Sequence, residues 1–316
     1  MLPKHFSRRQ ILDMALKAGA AFGLMPFLNT AAMTQNTAKS TLIKRPIPST
    51  GELLPAVGLG TWQTFDVGPS PVSRAQVQEV LRLFAEMGGT LIDSSPMYGK
   101  SEEVVGDLSV KLGLQQKLFM ATKVWTKGEQ AGIKQMETSM QEMQARPLDL
   151  MQIHNLVDWQ THLKTLRRWK GEKRIRYLGI THYLVSAFPD LERIIKTEPI
   201  DFVQLNYNIV TREAAQRLLP LAADKGVAVI VNRPFESGSL FSTVKSKPLP
   251  EWANEFDCKS WGQFFLKYIL GHPAITCIIP ATAKPTHLTD NMQAGYGNLP
   301  DEATRKKMEA YIQKIS

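Results

Sequence analysis

Gly89-Thr-Leu-Ile-Asp93-Ser-Ser-Pro-Met-Tyr98-Gly99-Lys-Ser-Glu102 places three kinds of structure in one short stretch. Thr90–Asp93 reads as a buried strand that ends on a carboxylate. Tyr98 follows in a loop, and Glu102 and Glu103 suit the first turn of a helix. Outward from this unit the same alternation continues. Apolar runs at Val57–Trp62, Leu118–Val124, Leu148–Ile153, Tyr177–Thr181, Phe202–Leu205, Val227–Val231 and Thr276–Ile279 bring the predicted strands to eight. Helical patterns separate them. Val77, Val80, Leu81 and Phe84 fall on one helix face, Trp261, Phe264, Phe265, Tyr268 and Ile269 on another. Leu163, Leu166, Trp169 and Ile175 follow that spacing less cleanly.

Strands alternating with helices must run parallel and be joined by crossovers, and eight such units predict a (β/α)8 TIM barrel with its chemistry at the C-terminal strand ends. Ahead of them, Leu42–Pro46 and Leu53–Val57 flank the turn residues Pro48-Ser-Thr-Gly51, a hairpin signal. An open doubly wound sheet is disfavoured because Gly58-Leu-Gly60-Thr-Trp-Gln63 lacks the third glycine of a dinucleotide fingerprint. The stretch Pro234–Lys259 is expected to loop over the barrel mouth.

Charge and composition narrow the partners. The 316 residues carry a formal +9, with lysine and arginine scattered and no basic run interleaved with aromatics, so no nucleic-acid partner is expected. The histidines show no paired ligand spacing and no metal site is expected. Cys258 and Cys277 make no disulfide framework and are expected to be free.

The N-terminus predicts export. Ser7-Arg8-Arg9-Gln10-Ile11-Leu12 precedes a mostly apolar stretch from Met14 to Leu28, and Thr30-Ala31-Ala32 offers small residues for cleavage. The apolar part is too short and interrupted for a stable membrane anchor. The Ser-Arg-Arg string resembles the bacterial twin-arginine export motif, an address read by the export machinery. The expected organisation is a signal peptide over 1–32, a linker over 33–41 and the barrel over 42–316. The mature protein is then expected in the periplasm, without stable membrane insertion.

Three further polar residues share the strand ends with Asp93: Tyr98 in the loop after it, Lys123 in Phe119-Met-Ala-Thr-Lys123, and His154 in Leu150-Met-Gln-Ile-His154. Together they suit carbonyl reduction. A tyrosine with an unperturbed pKa of about 10 is a weak acid, and a neighbouring ammonium lowers that value. Asp93 can pair with the buried lysine, and His154 can donate a hydrogen bond to a substrate oxygen. A glycosidase-like barrel finds no second strand-end acid to pair with Asp93.

The quoted stretch resembles the signature of the aldo-keto reductase superfamily. Asp93, Tyr98, Lys123 and His154 stand where that family places its catalytic tetrad, and the likeness runs over about residues 42 to 295. It implies a hydride transfer between NADP(H) and a small-molecule aldehyde or ketone, with Tyr98 as general acid and the hairpin closing the barrel floor; NAD(H) stays open. Cofactor contacts are implied for Thr61, Trp62, Asp93, Thr181, His182, Gln204, Asn232, Pro234, Phe235, Thr282, Lys284, His287, Asp290 and Asn291. The pattern is not kept throughout. His182 replaces an asparagine, Asn232 replaces the ring-stacking aromatic, and the positions of the usual 2′-phosphate-binding basic residues carry Ala281 and His287, with Lys284 nearby. Trp62, Met97, Trp125 and His154 are expected to wall the substrate pocket. The alternative is a non-catalytic nicotinamide-binding barrel serving as a redox sensor or partner subunit.

Overall fold

The computed structural model describes residues 41–316. The predicted signal peptide and all but the last linker residue lie outside the described residues. The chain opens with the hairpin β1 (Lys44–Pro46) and β2 (Leu53–Pro55), antiparallel with Arg45 opposite Leu54. Eight parallel strands follow: β3 (Leu59–Gly60), β4 (Leu91–Asp93), β5 (Phe119–Val124), β6 (Leu148–His154), β7 (Ile175–His182), β8 (Phe202–Asn206), β9 (Ala228–Asn232) and β10 (Cys277–Ile278). Each pairs with its sequence neighbour. The bridges Val57–Ile278 and Gly60–Ala281 join the first strand region to the last and close the barrel. Closure leaves the barrel without an open strand edge among the described residues.

Ten helices surround it: α1 (Pro71–Glu86), α2 (Ser101–Lys111), α3 (Glu129–Glu142), α4 (Trp159–Gly171), α5 (Phe188–Thr197), α6 (Leu218–Asp224), α7 (Ser239–Thr243), α8 (Trp261–Leu270), α9 (Pro285–Gln293) and α10 (Glu302–Ile315), all among the described residues. Val77, Val80, Leu81 and Phe84 of α1 are fully buried, as the spacing requires. Ile175 departs from the expected helical face: α4 ends at Gly171, and Ile175 opens β7. The stretch expected as a loop before α8 is partly helical, holding α7 and a 3₁₀ segment over Glu251–Phe256. Cys258 and Cys277 are free and buried.

The barrel interior is layered. Phe119, Tyr177 and Phe202 fill its lower part with ring centroids 5.5 to 6.1 Å apart, and Ile47 and Leu54 of the hairpin plug the floor beneath them. Burying side chains of this size contributes about 1.5–3 kcal/mol each. Arg45 ties the hairpin down. Its guanidinium donates to the carbonyls of Leu270, His272 (2.8 Å) and Ile275, around the C-terminus of α8. Strand alternation then sets what lies above: two residues beyond an inward apolar side chain, the next points inward too. Leu91 is followed by Asp93, Ala121 by Lys123, Leu150 by Gln152 and His154, Phe202 by Gln204, and Ile230 by Asn232. An apolar floor therefore carries a polar ceiling.

Candidate active site

The polar layer is a connected hydrogen-bond network. Lys123 Nζ donates to Asp93 Oδ2 and to the Ser94 carbonyl, both at 2.6 Å. Asp93 Oδ1 accepts from Gln152 Nε2 at 2.9 Å and from Gln204 Nε2 at 3.0 Å. Gln204 Nε2 also donates to Gln152 Oε1 at 3.2 Å. Because its nitrogen faces a carboxylate, the Gln204 oxygen faces the other way, accepting from Thr181 Oγ1 and Asn232 Nδ2, each at 3.3 Å. A buried charge needs this density of partners. Burial alone disfavours the Lys123 ammonium, but Asp93 and Tyr98 outweigh that and hold its pKa above the ordinary value.

Tyr98 sits over this layer with its ring centroid 5.0 Å from Lys123 Nζ and 5.9 Å, edge to face, from the His154 ring. Lys123 pulls the phenol pKa down, as the sequence suggests, but the net shift is upward. Burial is the largest influence, and Asp93 beside the lysine adds to it. Tyr98 therefore holds its proton in the resting site. His154 is pushed down to about 3, first by burial and then by the Lys123 and His182 charges, so its imidazole is neutral.

A cavity of about 1080 Å³ opens above these residues. That is slightly above the range of about 300–1,000 Å³ usual for ligand sites. Its wall includes Asp93, Tyr98 and His154, with Lys123 behind them. Trp62, Met97 and Trp125 line the mouth and are each partly exposed. Trp125 lies 6.3 Å from the His154 ring. Of the residues named for the cofactor, Thr61, Trp62, Thr181, Gln204, Asn232, Pro234, Phe235, Thr282, His287, Asp290 and Asn291 line the same cavity. His182 and Lys284 stand apart from the wall. The His182 ring stacks on Tyr183 and accepts the Leu184 N–H, while Lys284 precedes α9 and its own N–H is held by Thr282 Oγ1.

The wall fits a long polar ligand. Asn232 Oδ1 is buried without a hydrogen-bond partner, an unmet acceptor. At the far end a Cβ on Gly262 would come within 2.7 Å of Asp290 Oδ2, so glycine here lets Asp290 keep its place beside the cavity. Asp290 is held by Ser260 Oγ at 2.6 Å and Gln263 Nε2 at 2.7 Å. Gln152 joins the polar layer without being among the residues the motif points to; its place two residues before His154 on one strand puts it on the same inward face. Arg233 and Phe241 also line the wall, and no periodic signal marks them. Arg233 and Glu236 both have positive φ, and Glu236 accepts from Asn206, Asn208, Thr211 and Arg233 to hold that turn.

The family model for the aldo/keto reductase family matches residues 56–311. The methylglyoxal reductase YeaE of Escherichia coli (strain K12) is 27% identical over 246 residues, covering 75% of this chain and 84% of that protein. The NADH-specific methylglyoxal reductase of the same organism is 27% identical over 240 residues, covering 66% and 72%. An aldo/keto reductase from Klebsiella pneumoniae, solved in complex with NADP and acetate, superposes with a TM-score of 0.71. It is 23% identical and covers 83% of this chain and 93% of that one, a likeness of fold.

Proposed function

The chain belongs to the aldo/keto reductase family, an oxidoreductase family with a (β/α)8 barrel, and on that premise we propose that it reduces an aldehyde or ketone with NADPH, using Tyr98 as the general acid. The observation that carries this is the placement of Tyr98 and His154 on one cavity wall, above the paired Lys123 and Asp93. When bound, NADPH supplies the hydride. Thr181, Gln204 and Asn232 would hold its nicotinamide end, and Thr282, His287, Asp290 and Asn291 its adenosine end. The solved NADP complex of the Klebsiella pneumoniae relative supports this cofactor.

This chain's residues handle the proton. His154, neutral, donates a hydrogen bond to the carbonyl oxygen and orients it. Tyr98 gives its proton to that oxygen as negative charge develops there, and the Lys123 ammonium stabilises the phenolate left behind. Asp93 keeps the buried lysine charged. Trp62, Met97 and Trp125 present apolar surface to the rest of the substrate. The E. coli methylglyoxal reductases suggest reactive small aldehydes as first substrates to try. NADPH consumption by the purified protein tests the proposal: oxidation that depends on added aldehyde supports it, and none across a broad carbonyl panel contradicts it.

The leader belongs to the same proposal. Residues 1–32 direct export by the twin-arginine route and are removed, residues 33–41 link them to the barrel, and the enzyme works in the periplasm. Because that route carries folded proteins, cofactor loaded in the cytoplasm can travel with the fold and stabilise it. Replacing Arg8 and Arg9 with lysine should strand the precursor in the cytoplasm; undiminished export of the double variant would contradict it.

A further inference from the structure

Ser95 has no part in the chemistry assigned so far, yet its Oγ lies 3.0 Å from His154 Nδ1, and both residues are buried. Ser95 Oγ also accepts the Met97 backbone N–H at 3.4 Å. A hydroxyl has one proton to give. Among the described residues, His154 Nδ1 is the acceptor that Ser95 Oγ reaches, so the proton goes there. The opposite arrangement, with Nδ1–H donating to Ser95, would leave the buried serine proton without an acceptor, at a cost of about 1–3 kcal/mol. An Nδ1 that accepts a hydrogen bond leaves the single proton of a neutral imidazole on Nε2. His154 lines the cavity, and its Nε2 makes no hydrogen bond among the described residues, so that nitrogen is left for a ligand.

We propose that Ser95 is a positioning residue: its hydroxyl donates to His154 Nδ1 and thereby fixes the tautomer in which Nε2–H serves as a hydrogen-bond donor to a carbonyl oxygen in the cavity. The kinetic consequence rests on the carbonyl-reductase function, whereas the tautomer belongs to the free protein. The alternative tautomer would present a lone pair to the carbonyl oxygen and repel it.

Imidazole nitrogen NMR on isotope-labelled histidine, with His154 assigned from the signal lost in His154→Gln, reads the tautomer in the full protein. The expected wild-type form carries its proton on Nε2. In Ser95→Ala the His154 signals should move toward a mixture of tautomers, with kcat about tenfold lower and the NADPH Kd unchanged. The loss is smaller than the 10²–10³-fold typical of deleting a donor outright, because part of the population stays productive. A wild-type proton on Nδ1, an unchanged tautomer in Ser95→Ala, or a shifted tautomer at full kcat would each overturn the proposal. A protein that reduces no carbonyl yet shows the Nε2–H form and its loss in Ser95→Ala would instead contradict the reductase function and leave the tautomer control standing.

Discussion

Lys123 Nζ lies 2.6 Å from Asp93 Oδ2, with both side chains closed to solvent. Removing one member of such a pair leaves an uncompensated buried charge, which typically costs about 3–5 kcal/mol. Lys123→Met should cost toward the lower end, because Gln152 and Gln204 still donate to Asp93. Urea unfolding checks it. A midpoint that stays at the wild-type value would mean that the pair contributes nothing to the fold.

Arg45 makes a separable case at the opposite end of the barrel. Arg45→Met leaves the carbonyls of Leu270, His272 and Ile275 without their shared donor. Unsatisfied groups of this kind cost about 1–3 kcal/mol each, and partial solvation should keep the total near ~3 kcal/mol. Thermal melting should fall while aldehyde turnover below the transition stays within twofold of wild type. A large kinetic defect in the folded variant would show that the floor hairpin does more than close the barrel.

Glu102 gives a pH signature. It is buried at the start of α2, accepts from Thr122 Oγ1 and from Ser139 Oγ at 3.0 Å, and burial pushes its pKa up from 4.5 to about 7. The folded state holds this proton more tightly than the unfolded chain. The contribution to stability is therefore fully present below pH 4.5 and is lost as pH rises through about 7. The shift corresponds to roughly 3 kcal/mol. Glu102→Gln should gain on the wild type across that window in urea unfolding at stepped pH. Parallel curves for the two proteins would refute the assignment.

His287 lines the cavity beside Thr282 and Asp290, while Lys284 is off the wall. If His287 meets the cofactor 2′-phosphate, NADPH should bind more tightly than NADH, and the gap should shrink with salt as screening grows. His287→Ala should narrow the same gap in fluorescence titrations. Equal affinities in the wild type at every salt concentration would show that no phosphate clamp exists.

What the sequence revealed follows physical periodicity. The eight strands, the floor hairpin and the Asp93–Lys123 pairing were legible because strand alternation and apolar runs are local signals. Gln152 falls on the inward face by the same rule, but a single glutamine in an apolar strand carries no signal of its own that sets it apart from a tolerated exception. The bounds of β3, only Leu59–Gly60, and the helix α7 over Ser239–Thr243 depend on barrel closure and on packing against Phe265, which no local pattern encodes. The Tyr98 pKa moves against the direction the sequence suggests, first because burial disfavours the phenolate and then because Asp93 offsets part of the Lys123 charge. Ser95 beside His154 required two strand ends to meet across fifty-nine positions of sequence.

The central claim is that Tyr98 donates the proton. Tyr98→Phe keeps the ring that packs against His154 and removes only the hydroxyl. Single-turnover reduction of a reactive aldehyde by the NADPH-loaded enzyme should slow by about 10²-fold or more, with the NADPH Kd within about twofold of wild type. Reduction at the wild-type rate in that variant would contradict the account.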